Sequence, residues 1–424
     1  MTQLTVYTQK LPPAIKRSQI LQWLSIQEDL FLWENAAQTQ QLLTAGQVLQ
    51  VEPGTIASFA VAQDLLRQAQ ASFQLTASST WQDVKLVGSF LFDSEDARNG
   101  QWGTFQQGIA YIPQVSFVET EDQWQVTLIA ADDSALEPMM AQILQLAELQ
   151  PQTLELGNYQ EQKTAQWQDS VAQTVAAIQQ QHFQKVVLAR TAMAQQTAQV
   201  NWVAVWLHLS LTQPGYHILL QTRDVQFISI TPERLAKFLP NLVQTGAVAG
   251  TTANDLDAVK AKQLAKQLLQ DVKNRQEHDI VVQGIKSVLQ QANLQVQAPS
   301  QPQILATANL QHLWTPITGR GLVRPLTIIE RLHPTPALGG FPQAQAVAWI
   351  RKVETQARGL FGAPIGYLSA QQTGEFAVGI RSALVQQQQL SFFAGAGIVA
   401  DSDPVTEFRE TGAKLQSLYQ ALTH

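Results

Sequence analysis

Apolar and polar positions alternate over Lys85–Phe92, Gly108–Pro113 and Trp124–Ala130, the period-two pattern of strands with one face buried. Ser18–Leu30 and Asp64–Ala71 instead repeat with a helical period. The second half is more sharply patterned. Glu161–Gln180 reads as a helix, and Lys185–Arg190, His217–Thr222 and Phe227–Thr231 read as strands rich in Val, Ile and Leu. Asn254–Asn293 is one long helix or two abutting ones, with Asn254 or Asp255 as N-cap, and Ala346–Arg358 is helical. Glu375–Val385 and Leu390–Val399 form a hairpin across Gln386–Gln389. Asp403-Pro404 then opens the last helix with proline at its first position. Strands and helices do not alternate as regular βαβ units, and there is no internal repeat or long linker. The pattern predicts an α+β fold, with large antiparallel sheets covered by helices.

Composition narrows the chemistry. The 424 residues are 45% apolar, enough for a large core. A net charge of -6, from 27 Lys+Arg against 33 Asp+Glu, excludes a global footprint for nucleic acid or an anionic membrane, while leaving room for a local basic pocket. With 0 cysteines there are no disulfides, thiolate metal sites or cysteine nucleophiles. Met1–Gln27 lacks the apolar run of a signal peptide, and no window approaches the ~18–20 apolar residues that span a bilayer. A cytoplasmic, soluble protein is expected. Short glutamine tracts such as Gln179–Gln181 and Gln386–Gln389 read as solvated helix ends or turns.

Two segments combine charge with open space. On the first strand of the hairpin, alternation places Ala377, Gly379, Arg381 and Ala383 on one face and Phe376, Val378, Ile380 and Leu384 on the other. An arginine among small residues, beside a second strand carrying Gly395 and Gly397 on one face, describes an anion site over a bare floor. A sheet packed tightly on a helix, with Arg381 in a structural ion pair, has the same pattern. Gly395-Ala396-Gly397 lacks the third glycine of a dinucleotide loop. On the last helix Glu407, Glu410 and Lys414 form one stripe at i, i+3 and i+7. Glu277-His278-Asp279 precedes the apolar Ile280-Val281-Val282. Carboxylates from two helices suit a hard cation such as magnesium, although solvated charge stripes look alike. Taken alone, Lys185 marks the solvent end of a strand, Glu233 a capped turn salt-bridged to Arg234, and His312 and His333 hydrogen-bonded core histidines.

Together these segments resemble the chorismate-utilising enzymes, a family that includes isochorismate, salicylate, anthranilate and aminodeoxychorismate synthases. The resemblance is carried, in order, by KVVLAR (185–190), TPERL (231–235), AVAGTTAN (247–254), RQEHDIVV (275–282), LQHLWTPITG (310–319), LHPTPALGGFP (332–342), GEFAVGIRSA (374–383) and AGAGIVADSDPVTEFRETGAKL (394–415). It covers residues of about 160–424, with a weaker echo in VGSFLFD (87–93) and GIAYIPQVSF (108–117). It implies stacked antiparallel sheets around a central site, formed by a chorismate-binding domain over 81–424 with a divergent region, 1–80, packed on it. Magnesium would be held by Glu277 and Glu410, with Glu407 acting through water, and would grip the ring carboxylate of chorismate. Arg381 would bind the pyruvyl carboxylate. Gly250, Thr251, His312, Gly395, Ala396, Gly397 and Lys414 would complete the substrate pocket.

The resemblance also discriminates within the family. Water attack at ring carbon 2 with loss of the carbon 4 hydroxyl needs a base and an acid. These would be Lys185, where ammonia-using members commonly carry glutamine, and Glu233. Lys185 must be neutral to act, so burial and neighbouring cations are expected to lower its pKa. Ala249 stands where aminodeoxychorismate synthases carry a nucleophilic lysine. The activity implied is that of an isochorismate synthase feeding menaquinone or siderophore synthesis, with salicylate synthesis as the alternative and a silent chorismate-binding homologue as the third reading. A monomer with no glutaminase partner is expected. The sequence departs from the family at Phe361, where many relatives have tyrosine, at Asn274, where some have an acidic residue, and at Phe341 and Gln343.

Overall fold

The computed structural model describes residues 3–120, 123–255, 257–306 and 310–424. Its strands form one hydrogen-bonded system folded back on itself, the α+β architecture expected of stacked sheets. The strand Ile109–Thr120 is the fold line: Gln41–Gln50 pairs with one edge, while Gln123–Ala130 and Lys85–Ser89 share the other. One limb runs from Gln41–Gln50 through Leu30–Glu34, Tyr216–Gln221, Val225–Thr231, Ser382–Gln386 and Gln389–Ile398 to Lys185–Gln196. The other runs from Lys85–Ser89 through Pro364–Ser369, Gly374–Val378, Arg234–Leu239 and Leu242–Ala253 to Leu310–Arg320. These ladders are antiparallel. Leu4–Lys10 pairs in parallel with Phe73–Leu75.

Between the limbs lies an aromatic core that includes Phe31, Trp33, Trp102, Tyr216, Phe227, Tyr367 and Phe393. The outer face of the first limb is covered by Arg17–Leu24, Leu136–Gln145, Trp202–Thr212 and Pro404–Thr423, and that of the second by Phe59–Ser72, Val272–Gln291 and Pro325–Leu332. Trp202–Thr212 is apolar on nearly every side and is buried accordingly. Strands on both sides of residue 80 are hydrogen-bonded to one another, and Leu30–Glu34 lies within the first limb, between Gln41–Gln50 and Tyr216–Gln221. No helix among the described residues is long and apolar enough to cross a membrane.

Local corrections have local causes. The helix expected over Ser18–Leu30 stops at Leu24, because Asp29 takes φ 54° and Leu30 begins a wholly buried strand. Glu161 ends a strand, Leu156–Glu161, and the following helix starts at Thr164. The Asn254–Asn293 pattern resolves into Ala258–Gln270 and Val272–Gln291, joined at Asp271. Its carboxylate accepts from Asn274 N at 2.7 Å and caps the second helix. The first helix is capped by Asp257 rather than Asn254 or Asp255, and Leu256 lies outside the described residues. The helix expected over Ala346–Arg358 spans Gln343–Val353.

The largest correction concerns the hairpin. Glu375–Val385 is two strands, Gly374–Val378 in one limb and Ser382–Gln386 in the other. Between them Ile380 N bonds to Val378 O at 2.8 Å, and Arg381 takes φ 46°. The break reverses the alternation. Ala377 and Leu384 face the aromatic core, while Phe376 and Ala383 face the outer cores. Ala377 and Ala383 therefore do not share a face, and Arg381 stands where the chain crosses between limbs.

Candidate active site

A cavity of about 210 Å³ opens where the two limbs end, lined among others by Lys185, Glu233, Gly250, Thr251, Glu277, His312, Arg381, Gly395, Gly397, Glu410 and Lys414. Residues separated by more than 200 positions in sequence thus converge on one space. Ala396 does not join them. Strand alternation turns its side chain away to pack with Leu188 and Ile398. Glu407 is likewise not part of the lining.

Lys185 enters from the first position of its strand and is 2% exposed, which overturns the solvent-end reading. Its ammonium donates to Glu277 Oε1 at 2.6 Å. The neighbour is therefore a carboxylate, not the cations expected. Gly397 makes room for this pair: a Cβ there would lie 3.0 Å from Lys185 Cε and 3.7 Å from Glu277 Oε1. Glu277 comes from Val272–Gln291, whose inner face is fixed by the buried His278, bonded to Ala249 O at 3.2 Å and Thr315 Oγ1 at 2.7 Å.

Glu233 follows a turn in which Thr231 Oγ1 accepts from Glu233 N at 3.1 Å. The turn is as expected, but the ion pair is not. Arg234 lies 3.8 Å from Glu375, and the Glu233 carboxyl has no hydrogen-bond partner among the described residues. Burial pushes its pKa up to about 7, against the opposing pull of Lys185 and Lys414. The carboxyl therefore keeps a proton available near neutrality.

In the same cavity lining, the Arg381 guanidinium also has no hydrogen-bond or ionic partner among the described residues, and burial lowers its pKa. A desolvated cation without a counter-ion calls for an anionic ligand. His312 is held by Thr251 Oγ1 at 2.9 Å, and its pKa is pushed down to about 4 by burial and then by Arg381 and Lys414. It is a neutral imidazole at pH 7. Lys414 donates to Gly395 O at 2.9 Å and Glu410 Oε1 at 2.7 Å. Gly250 forms a bulge at φ +79°, with Asn274 atoms 3.2 Å from where a Cβ would stand. Asn274 Oδ1 also accepts from Thr251 N at 3.2 Å, so the amide at this departure braces the Gly250-Thr251 turn. His333 lies elsewhere, against the carbonyls of Leu91 and Phe92, as a core histidine.

Sequence reasoning missed Arg358, which lines the cavity while each of its three guanidinium nitrogens is engaged: with both oxygens of Glu354, with Leu338 O at 2.9 Å and with Val187 O at 2.6 Å. Its run, Ala357-Arg358-Gly359-Leu360, carries one charge in apolar surroundings, and that was the available signal. Phe361 lines the cavity, stacked on Phe393 at 5.4 Å. Phe341 and Gln343 line a different hollow, beside Pro334 and Pro336.

Residues 1–423 match the family described as chorismate binding enzyme, and the chain belongs to that family. It is 33% identical over 350 residues to isochorismate synthase MenF of Bacillus subtilis (strain 168), covering 80% of this chain and 74% of that protein. It is 32% identical over 357 residues to the salicylate biosynthesis isochorismate synthase of Pseudomonas aeruginosa, again covering 80% and 74%. The solved structure of MenF, the menaquinone-specific isochorismate synthase from Escherichia coli, superposes with a TM-score of 0.84 at 25% identity over 99% of this chain and 95% of that one. Anthranilate synthase component I from Streptococcus pneumoniae shares the fold, with a TM-score of 0.73 at 20% identity.

Proposed function

We propose that the chain is an isochorismate synthase, reversibly converting chorismate to isochorismate by addition of water at ring carbon 2 and loss of the carbon 4 hydroxyl. The observation that carries this reading is one cavity holding both a lysine and an unpartnered carboxyl whose pKa is near 7. Lys185, once it has left its ion pair with Glu277 and released its own proton to solvent, takes a proton from the attacking water as a neutral amine. Glu233, protonated, donates to the departing hydroxyl, and it takes that proton back in the reverse direction. Arg381 binds a carboxylate of the substrate. His312, Thr251 and the open strand segment at Gly395 and Gly397 shape the remaining wall.

The donor set fits magnesium. Glu277 and Glu410 both face the cavity, and Glu407, whose pKa is raised by burial first and by the neighbouring Glu410 second, stands on the same helix as Glu410. Among the described residues no three metal-binding side chains are gathered as a closed site. Two carboxylates with positions left for water and substrate oxygens are the usual magnesium arrangement. Glu277 and Glu410 would hold the ion, which when bound supplies charge neutralisation for a substrate carboxylate.

Incubation with chorismate and magnesium, followed by chromatographic separation, tests the reading. Isochorismate should accumulate to an equilibrium mixture reached equally from either side. Fluorescent salicylate as the main product would replace this reading with salicylate synthesis, and no turnover would replace it with a binding protein.

A further inference from the structure

Arg190 closes the KVVLAR motif, five residues beyond Lys185 and on the opposite face of the same strand. It is 5% exposed, and all three of its guanidinium nitrogens are engaged. Nε donates to Thr411 Oγ1 at 2.7 Å, Nη1 to Glu161 Oε2 at 2.8 Å, and Nη2 to the carbonyl of Phe408 at 2.9 Å. The guanidinium also lies 4.0 Å from the centre of the Phe408 ring. Two of its three partners therefore belong to the last helix, Pro404–Thr423, on the face adjacent to Glu407, Glu410 and Lys414. Thr411, fully buried, passes the constraint on by donating to the carbonyls of Glu407 and Phe408 at 3.0 Å. Gly412 leaves space for the group: a Cβ there would stand 3.3 Å from Arg190 Nη2.

We infer that Arg190 is a positioning residue. It locks the rotation and axial register of the last helix against the strand that carries Lys185, and so sets where Glu410 and Lys414 stand in the cavity. The inference rests on the reading above, in which those two residues serve magnesium and substrate. A guanidinium suits the task because its planar donors point in fixed directions, whereas a lysine in its place would be a single rotatable point charge. Loss of such an outer support lowers metal or ligand affinity by about 10-fold or more.

The test uses Arg190→Lys, Thr411→Val and Gly412→Ala in the full chain, with Leu418→Val as a control that perturbs the same helix away from the guanidinium. Magnesium affinity is measured by calorimetric titration of magnesium chloride into the protein, and chorismate KM and kcat by steady-state kinetics. Arg190→Lys should weaken magnesium binding and raise chorismate KM by about 10-fold, with kcat at saturation within about twofold of the parent. Thr411→Val and Gly412→Ala should shift the same two quantities in the same direction, and Leu418→Val should shift neither. If Arg190→Lys does not fold, Thr411→Val and Gly412→Ala decide the matter. Unchanged magnesium affinity and KM in the folded variants, or equal shifts in Leu418→Val, would overturn the inference. If the parent protein binds no magnesium, the metal reading fails separately, and Arg190 is judged on chorismate KM through Lys414.

Discussion

Glu233 and Glu354 are both recessed carboxyls beside the strand that carries Lys185, yet they live in opposite circumstances. Glu354 is fully partnered. Both oxygens meet Arg358, and Oε1 also accepts from Ala189 N at 2.7 Å. Glu233 has no such partner among the described residues, and its pKa rises to about 7. The arginines divide in the same way. Arg358 and Arg190 use their donors on carbonyls, carboxylates and a hydroxyl, whereas Arg381 lines the cavity with no donor engaged among the described residues. A buried charge whose bonds are complete is scaffold. A desolvated charge left incomplete holds unfavourable energy that a ligand can relieve, and that is the mark of a site.

The strongest way to break this contrast is at the metal-binding carboxylates. Glu277→Gln or Glu410→Gln should abolish turnover, as should excess chelator with the parent protein, and full activity in chelator would remove magnesium from the scheme. Lys185→Gln comes next. Isochorismate formation should nearly vanish, because an amide cannot take a proton from water. If Lys185 were only a strand terminus, the change would be confined to about ±0.5 kcal/mol of stability. Parent-level kinetics from this variant would sink the assignment of the base.

Glu233→Gln should slow turnover by ~10²–10⁴ while calorimetry still detects chorismate binding. In the parent the forward rate should fall as pH rises through about 7, where Glu233 loses the proton it must donate. A flat profile there would place the acid elsewhere. The partnered carboxyl should behave in the opposite sense. Glu354→Gln leaves Arg358 buried without its counter-ion and should lower stability by about 3–5 kcal/mol, whereas Arg381→Gln should leave stability intact and raise chorismate KM. Equal melting losses in the two variants would erase the distinction between scaffold and site.

The smallest effect is on stability at the acid. Because the folded Glu233 pKa lies above its unfolded value, the folded state binds the extra proton between them. Its burial therefore lowers stability as pH rises from about 4.5 to about 7, with no further loss above. Glu233→Gln should be more stable than the parent by about 1–2 kcal/mol at pH 8, discounted for water in the cavity, and equal to it at pH 4. Denaturant midpoints at the two pH values measure the difference.

Much of this was written along the chain. Helical patterns placed most of the helices, because a helix must bury one face and its side-chain period is set by backbone geometry. Period-two patterns placed fewer than half of the strands, leaving Gln41–Gln50, Leu242–Ala253 and Leu310–Arg320 among those unread. Residue type and motif order singled out Lys185, Glu233, Glu277, Arg381 and Glu410 as candidates. Their partners were decided elsewhere. That Lys185 meets Glu277 across 92 positions, that Arg234 turns to Glu375 and leaves Glu233 alone, and that Arg358 faces the cavity all depend on how the two limbs fold about Ile109–Thr120. The break at Arg381 shows why local reading stops short. Alternation holds only while one ladder continues, and there the chain leaves one limb for the other, reversing which side chains face the core and leaving Arg381 to line the cavity. Pattern records which residues prefer burial, but which buried charge is satisfied and which is left waiting is a property of neighbours that only tertiary packing supplies.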